Sequence, residues 1–139
     1  MVQVILGKKG SGKTKRLIDM ANEALKTEHG YVVFIDDDTR YMYDLRHEIR
    51  FVDCSDYAKR EERSADMFYG LVAGMLSVNY DITLIFVDAF KKLVNTDMNE
   101  LESLFDHLSK LSEQRHVNIV LSVSADADEL PEFITKLAI

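Results

Sequence analysis

At 139 residues the chain is one domain, long enough to bury a core and too short for two. A net charge of −7, with 47% apolar and 29% charged residues, suits a globular protein and argues against general affinity for nucleic acid, which needs a basic face. The one cysteine, Cys54, excludes an internal disulfide and closes an apolar run as a structural thiol would, and the four histidines have no zinc-ligand spacing. No apolar run approaches the roughly 20 residues that cross a bilayer. Val2 to Leu6 leads straight into a glycine-rich loop rather than a cleavage site, so the expected location is the cytoplasm.

Val2 to Leu6 reads as a short buried strand. It runs into Gly7-Lys8-Lys9-Gly10-Ser11-Gly12-Lys13-Thr14, which matches G-x-x-x-x-G-K-[ST], the Walker A pattern, between a strand and a helix. Glycines allow the positive φ that lets a loop close around a phosphate, and the following helix start offers N–H groups to the anion. In that pattern Lys13 reaches the β- and γ-phosphates and the Thr14 hydroxyl binds Mg²⁺, while Lys8 and Lys9 add positive charge. A nucleoside triphosphate is therefore the expected ligand.

Leu17, Ile18, Ala21, Ala24 and Leu25 then form one helical face, with Gly30 as its expected stop. Tyr31 to Ile35 is a strand candidate that ends in Asp36-Asp37-Asp38, and Ile49 to Val52 is a shorter one. Arg40, Arg46 and Arg50, then Lys59, Arg60 and Arg63, read as a solvated face balanced by Glu48, Glu61 and Glu62, with an arginine finger as the rival reading. A second helix is expected from Asp56 or Lys59, with Ala65, Phe68, Tyr69, Val72, Met75 and Leu76 inward.

Ile82 to Val87 is a nearly continuous apolar run, as in a strand covered on both faces, and it closes in Asp88. That is the Walker B arrangement, whose aspartate supports Mg²⁺. A third helix is expected over Asn99 to Arg115 and a last clear strand over Val117 to Val123. After Pro131 the chain reads either as a short helix to Leu137 or as a strand over Phe133 to Ile139.

Strands alternating with helices predict a mostly parallel sheet with helices on both faces. Ligands of such sheets lie beyond the carboxyl ends of the strands. Gly7, Asp36 to Asp38, Asp53, Asp88, Ser122 and Ser124 should therefore converge on one edge.

Phe34-Ile35-Asp36-Asp37-Asp38 resembles the Phe-Ile-Asp-Ala-Glu run of the RecA-type recombinase core, where the glutamate is catalytic. Tyr80-Asp81 through Asp88-Ala89 is similar to that family's Walker B strand, and Val117 to Ser124 to the strand after it. The resemblance implies an α/β, three-layer P-loop NTPase with a RecA-like five-stranded sheet, the Val117 strand lying between the first strand and the Ile82 strand. It puts Asp38 where the catalytic base stands and Ser122 or Ser124 where the γ-phosphate sensor stands. It also implies ATP and Mg²⁺ as cofactors, a hydrolase or ATP-dependent switch, and a homo-oligomer or a protein partner.

The departures temper the activity expected. Asp38 is one methylene shorter than glutamate, Ala89 follows Asp88 where many ATPases have Glu, and the DNA-binding loops of recombinases are missing. Slow hydrolysis, ATP binding without turnover, and a small-molecule kinase remain as readings. A GTPase is disfavoured, because no Asn-Lys-x-Asp motif occurs.

Overall fold

The structure, a computed structural model, describes residues 1–139. Five strands, β1 (Val2–Gly7), β2 (Tyr31–Asp36), β3 (Arg50–Asp53), β4 (Ile82–Val87) and β5 (Asn118–Ser124), form one sheet. Their order is β1-β5-β4-β2-β3 and every pairing is parallel. β5 thus lies between β1 and β4, as the resemblance implied.

Side chains alternate along a strand, so each strand feeds two cores. Val33 and Ile35, Ile85 and Val87, and Ile119, Leu121 and Val123 point to one face. There they meet the helices α2 (Ala65–Val78), α3 (Phe90–Val94) and α4 (Glu102–Arg115). Val32 and Phe34, Leu84 and Phe86, and Val120 point to the other face, where α1 (Lys13–Ala24) packs with Leu17, Ile18 and Ala21.

The register aligns Phe34, Phe86 and Val120 in one row across the sheet on the α1 face. Two residues further on, the same parity brings Asp36, Asp88 and Ser122 to that face at the carboxyl ends. Strand periodicity alone thus gathers three polar side chains beside the first turn of α1.

Several boundaries differ from the sequence expectation, each for a local reason. α2 begins at Ala65, because Ser64 accepts a hydrogen bond from Met67 N–H (3.1 Å) and caps it there. The stretch from Asp56 to Lys59 belongs to a loop containing two 3-10 turns, Cys54–Asp56 and Arg60–Glu62. α4 begins at Glu102, preceded by the 3-10 turn Met98–Glu100 that Asp97 caps.

α3 was not expected; five residues are too few to show a helical period, although Phe90, Leu93 and Val94 are fully buried. α1 ends at Ala24, so Gly30 does not stop it. Gly30 instead permits a close approach, since a Cβ there would collide with the Asp81 carbonyl oxygen and the Thr83 side chain.

Both readings of the last residues are realised in succession. α5 (Glu132–Thr135) follows Pro131, and residues 137–139 then run along β1. Val4 N–H donates to Leu137 O and Ile139 N–H to Val4 O, each at 2.9 Å, which covers the outer side of β1. No helix is long and apolar enough to cross a membrane.

Candidate functional site

The turn from β1 into α1 is built by its glycines. Gly10 (φ 83°) and Gly12 (φ 88°) occupy the left-handed region that side chains disfavour. A Cβ at Gly7 would meet Ser11 Oγ, so the Ser11 side chain would have to turn away. Ser11 N–H donates to Lys8 O at 3.0 Å, and the Lys13 ammonium donates to the same carbonyl at 2.9 Å. α1 has no side-chain N-cap, so its first-turn N–H groups stay available to an anion. Burial lowers the pKa of Lys13, and the charge of Asp88 partly restores it.

Asp88 is buried at the end of β4 and is clamped from two sides. Thr14 Oγ1 donates to its Oδ2 at 2.9 Å, and Ser122 Oγ donates to its Oδ1 at 2.6 Å. The Ser122 hydroxyl in turn accepts from Ala89 N–H at 3.1 Å, and Ala89 adopts φ 55° where the chain leaves the strand. The loop threonine and the aspartate that closes β4 therefore meet in one hydrogen bond. Ser122 is committed to Asp88, which leaves Ser124, exposed at the tip of β5, as the free hydroxyl on this edge.

The three consecutive acids have three different surroundings. Asp36 is 4% exposed; its Oδ1 accepts from Asp37 N–H at 2.7 Å, and its Oδ2 has no partner in the chain. Burial, then the nearby charge of Asp88, pushes its pKa up to about 7. Burial alone would raise Asp37 too, but a hydrogen bond and charge from Arg63, with Arg60 and Lys92 adding, hold it below the usual carboxylate range. Asp38 is half-exposed, accepting from Arg40 N–H at 2.9 Å and pairing with the Arg40 guanidinium at 3.3 Å.

Arg63 does not belong to a solvated face. It is 6% exposed, bridges to Asp37, and also donates to the carbonyls of Ala58 (3.3 Å) and Lys92 (3.2 Å). Arg60 pairs with Asp37 at 3.4 Å. Nothing adjacent in sequence reveals these contacts, because Glu61 and Glu62 flank the arginines while their partner is a strand away.

One cavity of about 1010 Å³ takes in Lys13, Thr14, Asp36, Asp88, Ser122 and Ser124. Lys9, Gly10 and Gly12 border it on the loop side, and Asp37, Asp38, Arg40, Lys91 and Lys92 on the other. Lys8 points away and lies 3.8 Å from Asp126. Asp53, also expected here, instead caps the turn after β3 by accepting from Ser55 N–H at 2.9 Å. Cys54 is fully buried, and burial raises its thiol to about 11, which fits an inert structural role. Lys91 and Lys92, brought in by the unexpected α3, are cavity residues the sequence reading missed.

No group of three or more His, Cys, Asp or Glu is arranged to hold a metal by itself. A hydroxyl (Thr14), a clamped carboxylate (Asp88) and an orphaned buried carboxylate oxygen (Asp36) do fit Mg²⁺. That ion prefers one or two carboxylates, with waters and phosphate oxygens completing its shell.

The five-stranded parallel sheet with helices on both faces is an α/β architecture of the RecA-like fold. No family model and no curated protein matches the sequence. Among solved structures it is similar to the flagellar accessory protein FlaH from Methanocaldococcus jannaschii, with a TM-score of 0.66 and 14% identity. The match covers 97% of this chain and 65% of that one, so the chain spans less than two thirds of FlaH. At that identity the likeness speaks for the fold alone.

Proposed function

We propose that this protein binds ATP with Mg²⁺ at the β1–α1 turn and acts as a slow ATPase or an ATP-dependent switch in the cytoplasm. The observation that carries the reading is the Thr14–Asp88 hydrogen bond at 2.9 Å, at the mouth of a loop with two left-handed glycines. The backbone from Gly7 to Thr14 wraps the phosphates, Lys13 leaves the Lys8 carbonyl for the β- and γ-oxygens, and Ser124 borders the γ-phosphate. Thr14 and Asp88 hold Mg²⁺, which supplies charge neutralisation on the phosphates. Asp38 polarises the attacking water, and its side chain, one methylene shorter than glutamate and paired with Arg40 at 3.3 Å, repositions to do so. The protein works with a second copy of itself or with a protein partner, and nucleic acid is not its ligand.

Binding without turnover is a second reading, favoured by the same Arg40 contact, which holds the assigned base inside its own loop. Phosphate release from ATP with Mg²⁺ separates the two. Steady release supports the ATPase, tight binding with no release over hours supports the non-hydrolysing module, and release only with an added acceptor supports a kinase.

A further inference from the structure

Asp36 Oδ2 is the one buried side-chain oxygen or nitrogen in the protein without a hydrogen-bond partner. Buried carboxylates are ordinarily paired or fully hydrogen-bonded, so an orphaned oxygen on a residue that borders a cavity calls for a ligand. The oxygen belongs to a residue bordering the phosphate cavity, and its neighbours explain what kind of ligand is needed. β2 and β4 are adjacent, and Asp88 N–H donates to Ile35 O at 2.9 Å, so the ladder continues to the strand ends. Asp36 and Asp88 therefore stand side by side on the α1 face, on neighbouring strands about 4.8 Å apart.

No cation of the chain is hydrogen-bonded or ion-paired to either carboxylate, although the charge of Asp88 acts on Lys13, and Lys9, Lys91 and Lys92 border the cavity. Arg63 and Arg60 are bound to Asp37, Arg40 to Asp38, and the Lys13 ammonium to the Lys8 carbonyl. Asp88 has a hydroxyl on each oxygen, and Asp36 has a backbone N–H on one. What is left is a single unfilled acceptor, Asp36 Oδ2, on a residue that stands beside Asp88 and lines the same cavity as Thr14.

We propose that Asp36 is a second acidic anchor of the triphosphate-bound Mg²⁺, its Oδ2 accepting a hydrogen bond from a water on the ion. The inference rests on the reading of the β1–α1 turn as a triphosphate site, and it gives Asp36 a task distinct from that of Asp38. An outer carboxylate of this kind orients the water shell and adds charge without touching the metal, and losing one costs roughly 10- to 100-fold in metal affinity.

The test measures binding of a non-hydrolysable fluorescent ATP analogue with Mg²⁺ and with EDTA, for the wild type and for Asp36→Asn. In the wild type Mg²⁺ strengthens binding. In Asp36→Asn that gain falls by about tenfold, while binding in EDTA is equal to or tighter than wild type because one negative charge is gone. Asp53→Asn, which removes a charge from the strand on the other side of Asp36, keeps the wild-type gain. Asp36→Ser, measured alongside, gives the same loss without an amide in the cavity and serves if Asn does not fold.

An unchanged Mg²⁺ gain in Asp36→Asn overturns the proposal. So does an equal loss with Mg²⁺ and with EDTA, which would mark a structural role. A wild type that binds the analogue under neither condition overturns the triphosphate reading itself, a separate outcome.

Discussion

The loop side and the acid side of the cavity both bury polar groups at strand ends, and they satisfy them differently. On the loop side Asp88 is met by the Thr14 and Ser122 hydroxyls, with no ion pair. On the acid side Asp37 is met by the guanidinium groups of Arg63 and Arg60, reaching across from a loop 26 residues further along for Arg63. Hydroxyls fix the direction of a carboxylate and leave its charge in place, whereas guanidinium groups cancel it. The loop side thus keeps the negative charge of Asp88 uncancelled beside the first turn of α1. The acid side is built to hold the loop Cys54 to Ser64 against α3, because Arg63 also binds the Lys92 carbonyl.

If this division is right, substitutions on the two sides should separate stability from binding. Arg63→Ala should destabilise the protein by about 3 kcal/mol, since it strands a mostly buried carboxylate, and urea unfolding would measure it. Adding Asp37→Asn should recover a large part of that loss, and a purely additive double variant would deny the coupling. Lys13→Ala should leave unfolding nearly unchanged and weaken ATP binding by about 100-fold or more, read by calorimetry. Retained affinity would sink the assignment of the loop.

Asp38→Asn should spare binding and slow phosphate release by about 100-fold, the low end for a general base, and an unchanged rate would reject Asp38. Acidity offers a finer separation, because the two buried acids have opposite signs. Asp37 titrates lower in the folded chain than unfolded, so its contribution is complete above the ordinary carboxylate range and fades as pH falls through its folded pKa. Asp36 titrates near 7 folded against 3.8 unfolded, so metal-free protein should lose stability as pH rises from about 4 to about 7. Melting curves in EDTA between those limits should flatten in Asp36→Asn. The smallest effect is expected for Arg60→Ala, below about 1 kcal/mol, because that pair is largely solvated on the arginine side.

The parts of this molecule legible in its sequence are those encoded by short-range pattern. Val2 to Thr14 carries its own strand, turn and helix start within a few residues, and the run from Ile82 to Asp88 declares both its burial and its polar end. The convergence of Asp36, Asp88 and Ser122 follows from strand parity once the strands are known. Arg63 was illegible for the opposite reason: its partner is remote, and its neighbours Glu61 and Glu62 suggest water. α3 was hidden by its length, and Lys91 and Lys92 with it. The resemblance to the RecA core aligned Asp38 with a catalytic glutamate, and alignment of letters could not disclose that Asp38 leans on Arg40 while Asp36 keeps an oxygen unpaired.

The strip of chain from Leu137 to Ile139 has a consequence for how copies can join. It occupies the hydrogen-bonding positions on the outer side of β1 around Val4, and Arg16 from α1 reaches the Ile139 carbonyl at 3.4 Å. At the opposite end of the sheet β3 pairs with β2 alone, so its outer row of N–H and C=O groups is unmatched. Strand addition beside Val4 is thus pre-empted by the chain itself, while the β3 border keeps the row of groups to which another strand could add.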